Sequence, residues 1–70
     1  MTRQPIESSN IKSVGYEPAS KTLEVEFHSG AVHQYLDVSA NKHAQLIKHK
    51  SPGSYFHNNI RSLHKSKAVA

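Results

Sequence analysis

The sequence predicts an α+β domain, a three-stranded antiparallel meander followed by two helices (βββαα), and three observations carry that prediction. Thr22–Leu23–Glu24–Val25–Glu26–Phe27 alternates apolar and charged side chains with a period of two, the signature of a strand with one buried face. After Ser39 the pattern changes period, and Ala40 to Lys48 is rich in helix formers. A second helix start follows at once, with Ser51 as N-cap and Pro52 at the first helical position, where a missing backbone donor costs nothing.

Taken in order, residues 1–9 read as an irregular lead-in containing Pro5. Ile11 to Tyr16 is the first strand, closed by Glu17–Pro18–Ala19–Ser20–Lys21, which has turn chemistry. Thr22 to Phe27 is the second, and Ala31 to Val38 returns as the third. The turn between them sets the register. A two-residue loop at Ser29–Gly30 puts Val32, Gln34 and Leu36 on the face of Leu23, Val25 and Phe27. A three-residue loop with Gly30 in a left-handed conformation puts His33 and Tyr35 there instead, because a one-residue slip exchanges the two faces. Glycine at the last loop position favours the three-residue form and makes Tyr35 a core or core-rim residue. In the first helix Ala40, His43, Ala44 and Ile47 share a face. In the second, Tyr55, Phe56, Asn59, Ile60 and Leu63 fall at helical spacing. Residues 65–70 read as a flexible basic tail.

Seventy residues make one domain at most, burying only ~60% of the unfolded chain's surface, and with no cysteine there is no disulfide or thiolate metal site to staple it. No segment has the form of a signal peptide, and no apolar run approaches the ~20 residues of a membrane span. A bacterial or phage cytoplasm is the expected location.

Charge divides the chain. Residues 1–38 hold Arg3, Lys12 and Lys21 against Glu7, Glu17, Glu24, Glu26 and Asp37. Residues 39–70 hold Lys42, Lys48, Lys50, Arg61, Lys65 and Lys67 with no acid at all, together with four of the six histidines. Such segregation concentrates positive potential and points to a polyanionic partner; the plainer reading is a basic segment that keeps a small protein in solution.

The runs Ser8–Ser9–Asn10–Ile11, Ser13–Val14–Gly15–Tyr16, Leu23–Glu24–Val25–Glu26–Phe27, Gly30 and Tyr35, with Ser51–Pro52–Gly53–Ser54–Tyr55–Phe56 and Asn59–Ile60–Arg61, resemble the KTSC domain. The resemblance covers roughly residues 3–64 and places the domain itself at 10–64. It implies a small bacterial domain that occurs alone or at the C-terminus of some lysyl-tRNA synthetases, an association that suggests RNA binding. The family's Tyr-x-Tyr motif stands here as His33–Gln34–Tyr35, so only the second tyrosine is kept.

No catalytic residues are expected. There is no cysteine nucleophile, nucleophile elbow, phosphate loop or dinucleotide fingerprint, and so short a chain has little room for an enclosed substrate pocket. No metal or cofactor is expected either. On a helix His57 and His64 lie ~10 Å apart along the axis, too far for one ion. The candidate nucleic-acid contacts are Lys42, Lys48, His49, Lys50, Ser51, Gly53, Ser54, His57 and Arg61, which supply cations and hydrogen-bond donors around the start of the second helix. Their plainer reading is capping and solvation. The competing function is a protein-interaction module or small homodimer, motivated by Val32 and Leu36, which in the favoured register leave an apolar strip on the uncovered face of the sheet. No small-molecule substrate is expected.

Overall fold

The structure, a computed structural model, describes residues 2–70. Five strands, β1 (Arg3–Pro5), β2 (Ile11–Glu17), β3 (Thr22–Phe27), β4 (Val32–Tyr35) and β5 (Ser66–Ala68), form one antiparallel sheet in sequence order. Helix α1 (Ala40–Lys48) and the shorter α2 (Pro52–Phe56) cover one face. Helix α2 runs directly into a π-helical turn over His57–Arg61. The α+β class and both helices are as expected from sequence, and α1 has the predicted bounds.

The three-stranded count is corrected to five. The segment read as an irregular lead-in supplies β1, which pairs Arg3 with Gly15 and Pro5 with Ser13. The segment read as a tail supplies β5, which pairs His33 with Ala68 and Tyr35 with Ser66. Neither triplet alternates long enough to announce a strand. Each is ordered by the unpaired backbone groups of the strand beside it.

The β3–β4 register follows the three-residue loop. Leu23 lies opposite Tyr35 and Val25 opposite His33, Phe27 N–H donates to Ala31 C=O, and Gly30 takes φ +97°. In β2 an irregularity between Ile11 and Ser13 lets Ile11 and Val14, three residues apart, both reach the core. The core joins these two to Leu23, Val25, Tyr35 and Val38 from the sheet side and to Leu46, Phe56 and Ile60 from the helices. Burying such side chains stabilises by about 1.5–3 kcal/mol each before entropy is counted.

The opposite face of the sheet is polar. Arg3 bridges to Glu24 at 3.0 Å and to Glu26 at 3.9 Å, Gln34 donates to Glu24, and Ser13 donates to Glu26. The apolar strip expected from Val32 and Leu36 is not formed. Val32 is 7% exposed, beside a C-terminal segment whose Val69 N–H donates to Val32 C=O, and Leu36 lies beyond the end of β4.

Two helix faces also differ from expectation. In α1 the buried residue is Leu46, with His43 and Ile47 half-buried beside it, while Ala40 faces solvent. At the end of the second helix Leu63 is 64% exposed. The wide π turn adds rotation after Phe56, so Ile60 still reaches the core but the next residue at helical spacing does not.

Candidate functional site

An open cleft of about 780 Å3 lies where four parts of the chain meet. Phe27, His28 and Ser29 of the hairpin form one side, the Ser9–Asn10 turn another, and Gly53, Phe56, His57 and Arg61 of the second helix a third. His33 and Tyr35 of β4, with Ser66 of β5, complete it. Its volume falls within the ~300–1,000 Å3 of small-molecule sites, but the cleft is open to solvent rather than an enclosed pocket. A second cleft of about 500 Å3 shares Ser9, Asn10, Gly53 and His57 with the first and extends to Lys50, Ser51 and Ser54, with the Glu7 carboxylate also in its lining.

The hairpin rim is strapped to the N-terminal turn. Ser8 Oγ accepts from the N–H groups of Asn10 and Ile11, His28 Nε2 donates to Ser8 C=O at 2.9 Å, and His28 N–H donates to Asn10 C=O at 3.0 Å. Helix α2 then approaches so closely that a Cβ on Gly53 would stand 3.0 Å from Ser8 Oγ. Glycine at this position is what brings the second helix onto the turn.

Aromatic rings line the interior. Tyr35 meets Phe56 edge-on with centroids 5.1 Å apart, Phe27 meets Phe56 at 5.7 Å, and His33 stacks on Tyr35 at 6.4 Å. Tyr35 is 4% exposed and lines the cleft, and its hydroxyl is not sealed away unpaired. Burial pushes the phenol above its usual range, and the nearby Arg61 charge pulls it back part of the way. No aspartate or glutamate lines this cleft.

The residues expected to contact nucleic acid separate into three groups. Gly53, His57 and Arg61 line the cleft, beside His33 and Tyr35. Lys50, Ser51 and Ser54 line its extension. Lys48 is exposed, and His49 accepts the Ser51 N–H on Nδ1 and leans on Tyr55 at 5.3 Å. Lys42 is engaged elsewhere. Its ammonium donates to Asn59 C=O at 3.0 Å and to His64 Nε2 at 2.8 Å, while His64 Nδ1 donates to Leu36 C=O. It ties α1 to the π turn and the approach to β5. Ser51 occupies the N-cap position without a side-chain capping bond. Lys50, exposed on the extension, and Arg61, in the cleft, carry the positive charge here. Sequence reasoning did not single out Asn10, Phe27 and His28 as site residues; the polar run Ser8–Ser9–Asn10 was a local signal for the first of them alone.

Outside the cleft, His43 stacks on Tyr16 with centroids 4.8 Å apart and planes 11° from parallel, and burial lowers its pKa. Tyr16 in turn donates its hydroxyl to Val38 C=O. Among the described residues no three histidine, aspartate or glutamate side chains are grouped to hold a metal ion, and no helix is long and apolar enough to cross a membrane.

Fold and cleft together define a small two-layer α+β domain with an open, acid-free cleft at the helix–sheet boundary. Residues 7–63 match the KTSC domain, and the chain belongs to that family. It is 32% identical to a KTSC domain protein from Yersinia pestis whose crystal structure superposes with a TM-score of 0.95, covering 99% of this chain and 97% of that one. A protein of Stutzerimonas stutzeri is 36% identical over 91% of this chain and 90% of its own length. A lysine–tRNA ligase of a Nostoc species is 39% identical over 84% of this chain, which spans only 10% of that enzyme.

Proposed function

We propose that this domain is a cytoplasmic, non-enzymatic RNA-binding module that reads phosphate charge with little sequence preference. The observation that carries the reading is the separation of charge between the two layers. Glu24 and Glu26 lie on the open sheet face and are paired with Arg3, while Lys48, Lys50, His57 and Arg61 lie exposed on the helical layer, and no salt bridge occupies them among the described residues. Such a surface attracts a polyanion by counterion release. The kinship with part of a lysine–tRNA ligase supports RNA as that polyanion, since that enzyme handles tRNA.

The test is an amide-resolved titration with a short single-stranded RNA at low and raised salt. Shifts clustered between Lys48 and Arg61 that fade steeply with salt are expected. The double reversal Lys48→Glu, Lys50→Glu should weaken binding at least tenfold, because each contact exchanged for repulsion counts twice. Undiminished binding by that variant would overturn the reading. The competing homodimer has lost the apolar strip that motivated it.

A further inference from the structure

Two polar groups of the larger cleft have no use in the fold, and two rings stand beside them. Tyr35 is nine-tenths buried and lines the cleft, and its hydroxyl, which is not sealed from solvent, has no hydrogen-bond partner among the described residues. Arg61 lies close enough for its charge to act on that hydroxyl, yet it pairs with no carboxylate among the described residues. Phe27 and His33, half-buried and meeting edge to face at 5.8 Å, offer an apolar surface beside these donors. A core tyrosine needs no such hydroxyl, and a solubilising arginine needs no acid-free surroundings. Donors without acceptors, set against rings, match a ligand with an anionic end and a planar body.

We propose that the cleft is a receptor for one phosphate-bearing nucleotide, with its phosphate held by the Tyr35 hydroxyl, Arg61 and His57 and its base laid against Phe27 and His33. The source is either a free nucleoside monophosphate or the phosphorylated end of a strand. In the second form the proposal rests on the RNA-binding reading, and the adjoining cleft toward Lys50 then takes the next residues of the strand.

The experiment titrates the full chain, followed by amide shifts, with adenosine 5′-monophosphate, adenosine, inorganic phosphate, and tetra-adenylate with and without a 5′-phosphate. The monophosphate should shift Asn10, Tyr35, His57 and Arg61 and bind about tenfold more tightly than adenosine or phosphate alone. Tyr35→Phe and Arg61→Gln should each weaken it about tenfold, the loss of one charge-assisted hydrogen bond, with the remaining spectrum unchanged. Arg61 is exposed, so its replacement does not threaten the fold. A phosphorylated strand that outcompetes the monophosphate identifies a strand end, and the reverse order identifies a free nucleotide; both support the cleft. Equal binding of adenosine and its monophosphate, no binding at millimolar concentration, or indifference to both substitutions overturns it. Strands bound equally with and without the terminal phosphate and lost on reversing Lys48 and Lys50, with no binding of the monophosphate, overturn the cleft and leave the RNA reading intact. A bound monophosphate with no RNA binding does the opposite.

Discussion

At the scale of single residues, two aromatic side chains couple stability to pH in opposite directions. The His43 ring is held neutral against Tyr16, and burial lowers its pKa below the ordinary value near ~6.5. A lowered pKa means that the neutral ring contributes stability above the unfolded value, which is lost as pH falls through the folded one. Chemical denaturation of His43→Phe, which keeps the stack, should lose less stability than wild type between neutral and mildly acidic pH. Tyr35 is the mirror case. Its pKa is raised, so its contribution is whole below ~10 and lost as pH rises through the folded value. Tyr35→Phe keeps the ring and removes a hydroxyl with no described partner. Its stability at neutral pH should stay within about 0.5 kcal/mol of wild type, and the alkaline loss should shrink. A fall of several kcal/mol would mean that the hydroxyl is structural.

At the scale of elements, the joints matter more than the strands and helices themselves. Gly30 has open space where a Cβ would be, so Gly30→Ala meets no clash and its cost is that of its positive φ. A loss of about 1–2 kcal/mol in denaturant unfolding is expected, and no loss would show that the hairpin relaxes to another turn. Lys42 crosses from α1 to the carbonyl of Asn59 and the ring of His64, so Lys42→Met should destabilise by about 1–3 kcal/mol without altering ligand affinity. Strand β5 is held through β4, where Val32 N–H donates to Ala70 and Leu36 N–H to Lys65. Removing residues 65–70 should speed hydrogen exchange at Val32 and Leu36 while the β2–β3 amides remain protected. Uniform acceleration would instead mean that the sheet unfolds as one unit.

At the scale of the whole molecule, the two layers have different chemistry. One sheet face is closed by helices, and the other is a network of Arg3, Glu24, Glu26, Gln34 and Ser13. The sheet edges are short. β1 has three residues and ends in Pro5, which lacks a donor, and β5 has three residues centred on Lys67. Neither edge templates further pairing, so sedimentation over a wide concentration range should show a monomer. A concentration-dependent dimer would return attention to exposed Leu36, Leu63 and Val69.

The sequence by itself determined the central hairpin and α1, because each rests on local chemistry, strict alternation in Thr22–Phe27 and a serine cap whose Oγ accepts the Lys42 N–H; Gly30 favoured the three-residue loop, and the structure decided the register. It also determined the charge division and the family. Only the tertiary structure decided β1 and β5, since three residues with no pattern become a strand only when an unpaired neighbour offers hydrogen bonds. It likewise decided the outward turn of Leu63, which follows from the π turn rather than from any residue type. The cleft was legible in part, through Tyr35, His57 and Arg61. Its other walls, Asn10 on one side and Phe27 and His28 on another, come from separate segments of the chain, and only folding brings them beside those residues.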